Sequence, residues 1–562
     1  MHRNKNKRGA HRCNPPVLHS APTWSGRQFA LATLAAVLLA GCLYVPILRN
    51  PFISFDDPDY VTENAHVKEG FRWHTFAWAW TSLEHGNWHP VTWMSHMADV
   101  QAFGLKPSSH HFVSLSIHAA NAALVFLVLA VFTRRPGLSF VVALLFSVHP
   151  LNVESLAWVA ERKSLLSALW SLLALLAYFH YAAKANVKWL VAATGLFFIA
   201  LASKPMAITL PFLLLLLDRW PLERVDSWHE LFTHRGLWTE KLVMFAFCVA
   251  SAVVTIVAQH RSNSFASIAQ ISIPLRLENA IVSYGFYAWK LIWPLKLAFL
   301  YPWPQHTPSL VELAGASLFL FGATVVAWKQ RLRRPWLMVG WLWFLGTLVP
   351  VIGIVQVGSQ SRADRYAYIP MIGLLVAAVW SGAEVMQARS FPRFRPAYLA
   401  VAVIAIFLAA VSRKQMGFWL SDYDLWLHAW VTTGNYLAAD KVGVALQKEG
   451  RYQDALPYFE QALRINSADP LANFNIGADL HLRGKVLDAL PYYQVTAGQN
   501  TAPLLRADAF ENMGAAYQQL GDLRLARDNY SKAVQYDPGR TRVYVALQDI
   551  EARLSSTTSP RD

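Results

Sequence analysis

Residues 29–48 read FALATLAAVLLAGCLYVPIL, a run of apolar side chains without a single charge. About 20 such residues are what a helix needs to cross the hydrocarbon core of a bilayer. The run contains Leu39-Ala40-Gly41-Cys42, which also has the form of a lipoprotein processing site after a basic start. Because the apolar stretch continues past Cys42, we interpret it as a transmembrane helix and not as a cleaved leader.

Similar runs recur up to residue 413, which predicts a polytopic membrane domain over residues 29–413. The composition agrees, since 54% of the residues are hydrophobic and only 15% are charged, whereas soluble domains are nearer a quarter charged. We predict eleven spans, near residues 29–49, 112–132, 138–152, 164–182, 188–203, 205–218, 240–259, 310–328, 336–356, 366–386 and 396–413.

The basic residues predict the orientation of this domain. They cluster in short loops between spans, as the positive-inside rule requires. The net charge of +15 therefore argues for membrane topology and against nucleic acid as a partner. This orientation predicts that residues 1–28 form a cytoplasmic tail. It places the loop 50–111 and all residues after 413 on the opposite side of the membrane. Residues 279–300 are predicted to be re-entrant or interfacial, because a full crossing would break this charge pattern.

After residue 435 the sequence becomes a helical repeat, which predicts an α-solenoid and makes the whole chain all-α. Small and aromatic residues recur at equivalent places: Gly443, Gly477 and Gly514, then Phe459, Tyr493 and Tyr530. This is the tetratricopeptide pattern, in which paired helices nest closely. We predict an amphipathic connector on the membrane surface over 414–435, three repeats over 436–540, and a capping helix and tail over 541–562. The repeats could offer a concave surface to a protein partner or serve as a scaffold.

The predicted topology brings four polar stretches to the same non-cytoplasmic side: residues 55–60 with 88–111, 149–163, 203–205 and 361–370. A carboxylate at the membrane edge can act as a general base toward an alcohol. Arginine suits bidentate contacts to a lipid phosphate, and Trp or Tyr suits stacking on a sugar. This combination indicates transfer of a sugar from a lipid-phosphate carrier.

The candidate catalytic residues are Asp56 and Asp57. The candidate residues for binding substrate or phosphate are Arg162, Lys204, Arg362, Arg365, Tyr366, His89 and Glu154. Other roles stay open: a turn or helix cap at Asp56-Asp57-Pro58, membrane-surface anchoring by Arg362 and Arg365, and local pairing of Glu154. The sequence also leaves open a divalent metal on the histidines and aspartate of the first loop, whose spacing matches no familiar site: His89, His96, Asp99, His110 and His111. The three cysteines show no paired spacing, which supports neither a disulfide framework nor a cysteine metal site.

Taken together, these residues resemble the transmembrane and TPR repeat-containing O-mannosyltransferases, members of the GT-C glycosyltransferase class. The most specific parts are Asp56-Asp57, Trp88 to Asp99, His149-Pro150, Glu161-Arg162-Lys163, Lys204-Pro205 and Asp364-Arg365-Tyr366. The resemblance implies a GT-C-like bundle, a polyprenyl- or dolichyl-phosphate sugar as donor, a protein Ser or Thr hydroxyl as acceptor, and an inverting reaction. It also implies Asp56 as the base, with Asp57 positioning substrate or metal. The basic tail and compact loops favour a bacterial relative, in the inner membrane with its repeats outside.

Two rival functions remain at this point. One is a transferase of the same kind that modifies a glycolipid or polysaccharide instead of protein. The other is a non-enzymatic scaffold, in which the spans only hold a protein-binding arm at the membrane. The sequence does not determine the sugar, the acceptor or the oligomeric state.

Overall fold

The computed structural model describes residues 24–262, 271–303, 307–355, 358, 360–388, 395–498 and 501–558. The chain divides into two compact units, residues 1–421 and 422–562. The described residues are almost entirely helical, which confirms the predicted all-α class. The first unit also contains a short antiparallel pair of strands, Tyr301–Pro302 and Gln360–Arg362. The predicted cytoplasmic tail lies outside the described residues up to residue 23.

The first unit is built from helices of very different lengths. Several begin with proline in their first turn, where the missing N–H group costs no hydrogen bond. The α-helices are Gly26–Tyr44, Ala65–Lys68, Trp73–Thr81, Pro90–Phe103, Pro107–Thr133, Pro136–Val148, Val153–Ala157, Arg162–Lys184, Val187–Ser203, Leu210–Arg219, Trp228–Thr233, Arg235–Thr239, Leu242–Arg261, Ile273–Ile292, Leu310–Gln330, Pro335–Leu348, Pro370–Ala388 and Arg395–Gly417.

Within the part of the chain that the structure describes, six stretches of helix are long and apolar enough to cross a membrane: Gly26–Arg49, Pro107–Thr133, Val159–Lys184, Leu242–Arg261, Leu310–Gln330 and Pro396–Gly417. A seventh crossing is possible if Pro136–Val148 and Pro150–Ala157, bent by 54°, count as one span. The count of eleven is therefore higher than helix length supports. The other predicted spans fall on three shorter apolar helices, Val187–Ser203, Pro335–Val351 and Pro370–Met386, and on Leu210–Arg219. The last is about 15 Å long, half of the hydrocarbon thickness.

The predicted re-entrant element at 279–300 takes a different form. Residues up to 292 belong to one continuous helix, Ile273–Ile292, and the chain then runs irregularly to the strand at Tyr301. The irregular membrane element is instead the bend at 148–150, where His149 accepts a hydrogen bond from Leu151 N and Pro150 restarts the chain. Proline cannot supply the N–H that would continue the first helix, so the chain bends there.

The second unit is a row of helix pairs, as the repeat predicted. Its helices are Asp422–Thr433, Tyr436–Lys448, Tyr452–Ile465, Pro470–Leu482, Val486–Thr496, Pro503–Gln519, Leu523–Tyr536 and Thr541–Thr558. The aligned glycines face the aligned aromatic rings. A Cβ atom on Gly443 would lie 2.5 Å from the ring of Phe459, and one on Gly514 would lie 2.7 Å from that of Tyr530. The glycines are therefore needed for the close approach of paired helices.

The predicted membrane-surface connector, residues 414–435, is divided between the two units. Trp419 belongs to the first unit and is buried, with its ring 5.4 Å from that of Phe299. The helix Asp422–Thr433 opens the second unit and packs on Tyr436–Lys448, burying Leu425 and Trp426. Trp419, Leu425 and Trp426 are thus covered by protein, while Leu420 and Val431 of the same segment are exposed.

Candidate active site

A cavity of about 560 Å³ opens in the first unit, where the outer loop meets segments that are distant in sequence. Its polar lining includes side chains from four of those segments: Asp56, Asp59, Tyr60, Glu161, Lys163, Lys204, Arg365 and Tyr366. Acid, cations and aromatic rings from separate polar stretches therefore meet in one cavity among the described residues, while the side of the membrane on which it opens stays a prediction. Three of the predicted binding residues, Lys204, Arg365 and Tyr366, line it together with Asp56.

The two acidic residues of the outer loop have different surroundings. The carboxylate of Asp57 is buried and accepts hydrogen bonds from Ile53 N at 2.9 Å and Ala160 N at 2.8 Å. It thereby ties the outer loop to the segment that leads into Glu161. Burial raises the pKa of Asp57 to about 7. Asp57 does not line the cavity, so its place is that of a positioning residue.

Asp56 is half-buried and faces the cavity. Burial raises the pKa of its carboxyl group above the ordinary value, while the charges of Lys163 and Arg365 oppose that change. A raised pKa makes a carboxylate a stronger proton acceptor. The geometry and electrostatics of Asp56 therefore suit a general base.

Glu161 gathers three cations on the cavity wall. Its carboxylate oxygens lie 3.3 Å from Lys163 Nζ, 3.0 Å from Lys204 Nζ and 3.3 Å from Arg365 Nε. Burial lowers the pKa of Lys204 to about 8, although Glu161 opposes that change. Glu161 therefore holds three positive groups at fixed positions, where they can stabilise an anion such as a phosphate.

Glu154 fixes the position of Arg365. Its carboxylate accepts a hydrogen bond from Arg365 N at 2.9 Å and forms an ion pair with the guanidinium group. Glu154 is buried and does not line the cavity, so its predicted contact with substrate is replaced by a contact with Arg365. Burial acts against the charged guanidinium, but Glu154, Tyr366 and Glu161 together outweigh it and raise the pKa of Arg365. Arg365 stays fully ionised at the cavity.

Aromatic rings complete the polar end of the cavity. Lys163 Nζ lies 4.5 Å from the ring centre of Tyr60, and Arg365 lies 5.0 Å from that of Trp158 and 5.1 Å from that of Tyr366. Such cation–π contacts fix the cations at the cavity. His89 stacks on the far side, 5.3 Å from Tyr60, and is buried outside the cavity lining. Its predicted substrate contact is not present.

Two predicted phosphate ligands do not reach the cavity. Arg162 is fully buried, and its guanidinium group contacts Asp99, Ser95 Oγ at 3.2 Å, Ser114 Oγ at 3.3 Å and the carbonyl of His110 at 2.6 Å. These protein partners use its donors, which contradicts a role in phosphate binding. Arg362 lies over Phe286, 5.0 Å from its ring, and is also absent from the lining.

The candidate metal ligands separate into two groups. His96, Asp99 and His110 have ligand atoms within 4.8 Å of one another, and His110 Nδ1 lies 3.1 Å from Asp99. His89 and His111 are not part of this group. Asp99 is already paired with Arg162, so a divalent ion would sit beside a guanidinium charge in a buried place. These three residues therefore do not fit a divalent metal well.

The list of candidate site residues omits four residues that organise the cavity: Glu161, Lys163, Tyr60 and Trp158. All four lie in the polar stretches 55–60 and 149–163, and Glu161-Arg162-Lys163 is a run of three consecutive charges. The list includes Arg162 because arginine suits bidentate contacts to phosphate. The start of helix Arg162–Lys184 directs these neighbours differently, so that Arg162 enters the core while Lys163 reaches the cavity.

The fold and this cavity define a polytopic helical membrane protein with a charged pocket, followed by tetratricopeptide repeats. A tetratricopeptide repeat model matches residues 440–469 and 507–540. The chain is 23% identical over 426 residues to human protein O-mannosyl-transferase TMTC3, covering 70% of this chain and 46% of that protein. For Drosophila melanogaster Tmtc3 the identity is 23%, with 70% and 50% covered. Mouse TMTC1 is 37% identical over 175 residues, with 28% and 18% covered.

These similarities confirm the predicted resemblance: the chain is similar to the TMTC protein O-mannosyl-transferases, and it joins apolar helices long enough to cross a membrane to tetratricopeptide repeats. It spans about half the length of the TMTC3 relatives that it matches. Among solved structures, the "Crystal structure of APC/C hetero-tetramer Cut9-Hcn1" matches with a TM-score of 0.22 and 14% identity, over 84% of this chain and 85% of that chain. That score is too low to establish a common fold.

Proposed function

We propose that this chain is a membrane glycosyltransferase of the GT-C type, which moves a sugar from a polyprenyl-phosphate donor to a Ser or Thr hydroxyl of a protein. The observation that carries this proposal is the cavity in which Asp56 meets Lys163, Lys204 and Arg365. The names of the relatives, protein O-mannosyl-transferases, support the same chemistry. We place the reaction at the non-cytoplasmic face, as the distribution of basic residues predicts.

The proposed reaction is a single displacement. The acceptor oxygen attacks C1 of the sugar, the bond from C1 to the phosphate oxygen breaks, and the phosphate leaves on its lipid. The hydroxyl proton passes to Asp56. Attack opposite the leaving group inverts the configuration at C1. Lys163, Lys204 and Arg365 stabilise the negative charge on the departing phosphate, and their positions are fixed before the donor binds.

Asp56 suits the role of base better than Glu161 does. Glu161 is ion-paired with three cations, which stabilise its charged form and make it a poor proton acceptor. Asp56 faces the same cavity, and its pKa is raised by burial. We therefore assign Glu161 to holding the cations, and Asp56 to the proton transfer.

The lipid part of the donor also has a suitable surface. The cavity wall includes Ile208 and Pro350, and both residues also line a neighbouring apolar groove of about 440 Å³. The groove continues along Phe212, Leu216 and Leu342, among other apolar side chains. A phosphate held at the cations would leave its prenyl chain next to this groove, where burial of hydrocarbon is favourable.

The catalytic assignment is tested with purified protein in liposomes, a panel of polyprenyl-phosphate sugars that includes mannose, and a Ser/Thr-rich peptide. We expect transfer by the wild type and loss of about 10²–10⁴-fold in rate with Asp56→Asn, the range for a general base. Glu63→Gln, which changes an exposed acid of the same loop, is the matched control. Full transfer by folded Asp56→Asn would remove the assignment.

The acceptor is tested separately, by mass spectrometry of extracytoplasmic proteins from cells with and without the gene. Hexose on Ser or Thr that disappears with the gene supports a protein acceptor. A change confined to glycolipid or polysaccharide would assign the same cavity to another acceptor. If cells that lack the gene are restored by Asp56→Asn but not by a variant without residues 436–562, the scaffold is favoured.

A further inference from the structure

The outer loop carries large apolar side chains that its own unit leaves exposed. Trp73, at the start of helix Trp73–Thr81, is 82% exposed, and Phe71 is 43% exposed. Both pack against Phe76: the ring of Trp73 stacks on it at 5.6 Å, and that of Phe71 lies at 6.3 Å. These rings therefore form one group on the surface of the loop.

The group extends to the next helix. Phe71 N donates a hydrogen bond to Gln101 Oε1 at 2.8 Å, which holds the start of the aromatic segment against the end of helix Pro90–Phe103. Phe103 and Leu105 follow within four residues of Gln101 and are 46% and 42% exposed. We call this set the outer-loop aromatic patch: Phe71, Trp73, Phe76, Phe103 and Leu105. A contiguous patch of this kind marks an interaction surface more often than scattered apolar residues do.

The position of the patch indicates what covers it. Leu105 is two residues before the span Pro107–Thr133, so this part of the patch lies at the N-terminal end of that span. At the other end of helix Trp73–Thr81, the ring of Trp80 stacks at 6.1 Å on Phe198, close to the end of the apolar helix Val187–Ser203. The patch is therefore bracketed by the ends of two apolar helices. Exposed basic residues flank it: Lys68, Arg72 and Lys106.

We propose that the outer-loop aromatic patch is seated in the headgroup boundary of the same bilayer that the spans cross. Trp rings prefer this boundary, because they combine a large apolar face with a polar N–H group. Lysine and arginine beside them can contact lipid phosphates while their stems stay in apolar surroundings. The proposal rests on exposure and position alone and does not depend on the proposed transferase activity.

This contact has a consequence for the cavity. The segment after helix Trp73–Thr81 contributes His85 and Asn87 to the cavity lining. Between them, the carbonyl of Gly86 accepts a hydrogen bond from Gln259 Nε2 at 2.5 Å, on helix Leu242–Arg261. The loop is thus fixed to the bundle at one end and, by the proposal, to the bilayer at the other. The cavity wall would be held close to the level of the membrane surface.

The test is electron paramagnetic resonance on the full chain in lipid nanodiscs. A nitroxide label is attached at Trp73→Cys after the native cysteines are replaced. Its collision rates with oxygen, which enriches in lipid, and with a water-soluble nickel chelate report its depth. Leu318→Cys, 73% exposed within the span Leu310–Gln330, is the lipid reference, and Glu63→Cys is the water reference. Phe103→Cys repeats the measurement on the second helix if Trp73→Cys does not fold.

We expect an oxygen-to-nickel ratio between those of the two references at both patch positions. A ratio equal to that of Glu63→Cys would place the patch in water and overturn the proposal. Protection from both reagents would mean that protein covers the patch, which also overturns it. Recovery of accessibility in nanodiscs loaded with a single chain each would then identify a second copy as the cover.

Discussion

At the scale of single residues, the cavity is organised by how neighbouring charges are directed. Asp56 and Asp57 are adjacent, yet one faces the cavity and the other accepts two backbone hydrogen bonds behind it. The same division separates Arg162 from Lys163. A charged side chain that enters the core needs partners of its own there, because an unpaired buried charge is costly. Arg162 and Asp57 have such partners in the core, whereas Lys163 and Asp56 line the cavity.

The pair Arg162 and Lys163 allows a direct comparison. We expect Arg162→Met to destabilise the first unit by about 3–5 kcal/mol, because it leaves the buried Asp99 without its partner. Lys163→Met should leave the unfolding temperature close to that of the wild type and raise KM for a polyprenyl-phosphate donor. Thermal unfolding in detergent and donor titrations measure the two effects. Equal loss of stability in both variants would contradict the different roles.

Lys204 predicts a pH dependence for donor binding. Because burial lowers its pKa to about 8, the ammonium group loses its charge as the pH rises through that value. We expect KM for the donor to rise above about pH 8, by roughly 10-fold or more, since a charge-assisted hydrogen bond contributes about 1.5–3 kcal/mol. Lys204→Arg keeps the charge, so its KM for the donor should change little over the same pH range. If KM rises above about pH 8 in Lys204→Arg as it does in the wild type, Lys204 is excluded as the cause.

At the scale of elements, helix starts and helix pairs follow local sequence closely. Proline opens five of the described helices in the first unit, and aligned glycines mark the helix pairs of the second. Apolar runs located the helices but not the number that cross the membrane, since length depends on where each helix bends or ends. The bend at 148–150 and the short helix Leu210–Arg219 are the clearest examples.

Gly514 provides a test of helix pairing. Its Cβ position lies 2.7 Å from the ring of Tyr530, so Gly514→Ala should destabilise this pair by about 1–3 kcal/mol despite the better helix propensity of alanine. Hydrogen exchange of helices Pro503–Gln519 and Leu523–Tyr536 measures the effect. Adding Gly514→Ala to Tyr530→Ala should cost little, because the ring is gone. An equal cost in both backgrounds would show that the ring contact is not the cause.

At the scale of the whole molecule, the two units meet different requirements. The first unit gathers its cavity from segments more than 300 residues apart, from Asp56 to Tyr366. The second is stabilised by contacts between consecutive helices, as expected for a repeat array. One buried acid stands out in the second unit. Both carboxylate oxygens of Asp440 are buried without a hydrogen-bond partner, and burial raises its pKa to about 8.

Asp440 therefore makes the stability of the second unit depend on pH. The unfolded chain ionises this acid near its ordinary pKa of about 3.9, while the folded chain keeps it protonated up to about 8. Stability should fall between about pH 4 and pH 8, by at most about 1.4 kcal/mol per pH unit, and level off above. Asp440→Asn should reduce this dependence. Hydrogen exchange of helix Tyr436–Lys448, normalised to intrinsic rates, checks it, and an unchanged slope would exclude Asp440.

Local patterns in the sequence are enough to predict the class of this protein. Apolar runs, basic loops and a repeat of glycine and aromatic residues each report the solvent or the neighbour that a helix must face. The sequence also identifies Asp56, Lys204, Arg365 and Tyr366 as candidates. Packing in three dimensions brings these four into one cavity with Glu161 and Lys163, while Arg162, Arg362, His89, Glu154 and Asp57 do not line it. Sequence patterns do not predict this grouping, because helix direction and burial, which set where a side chain points, arise from packing between segments far apart in the chain.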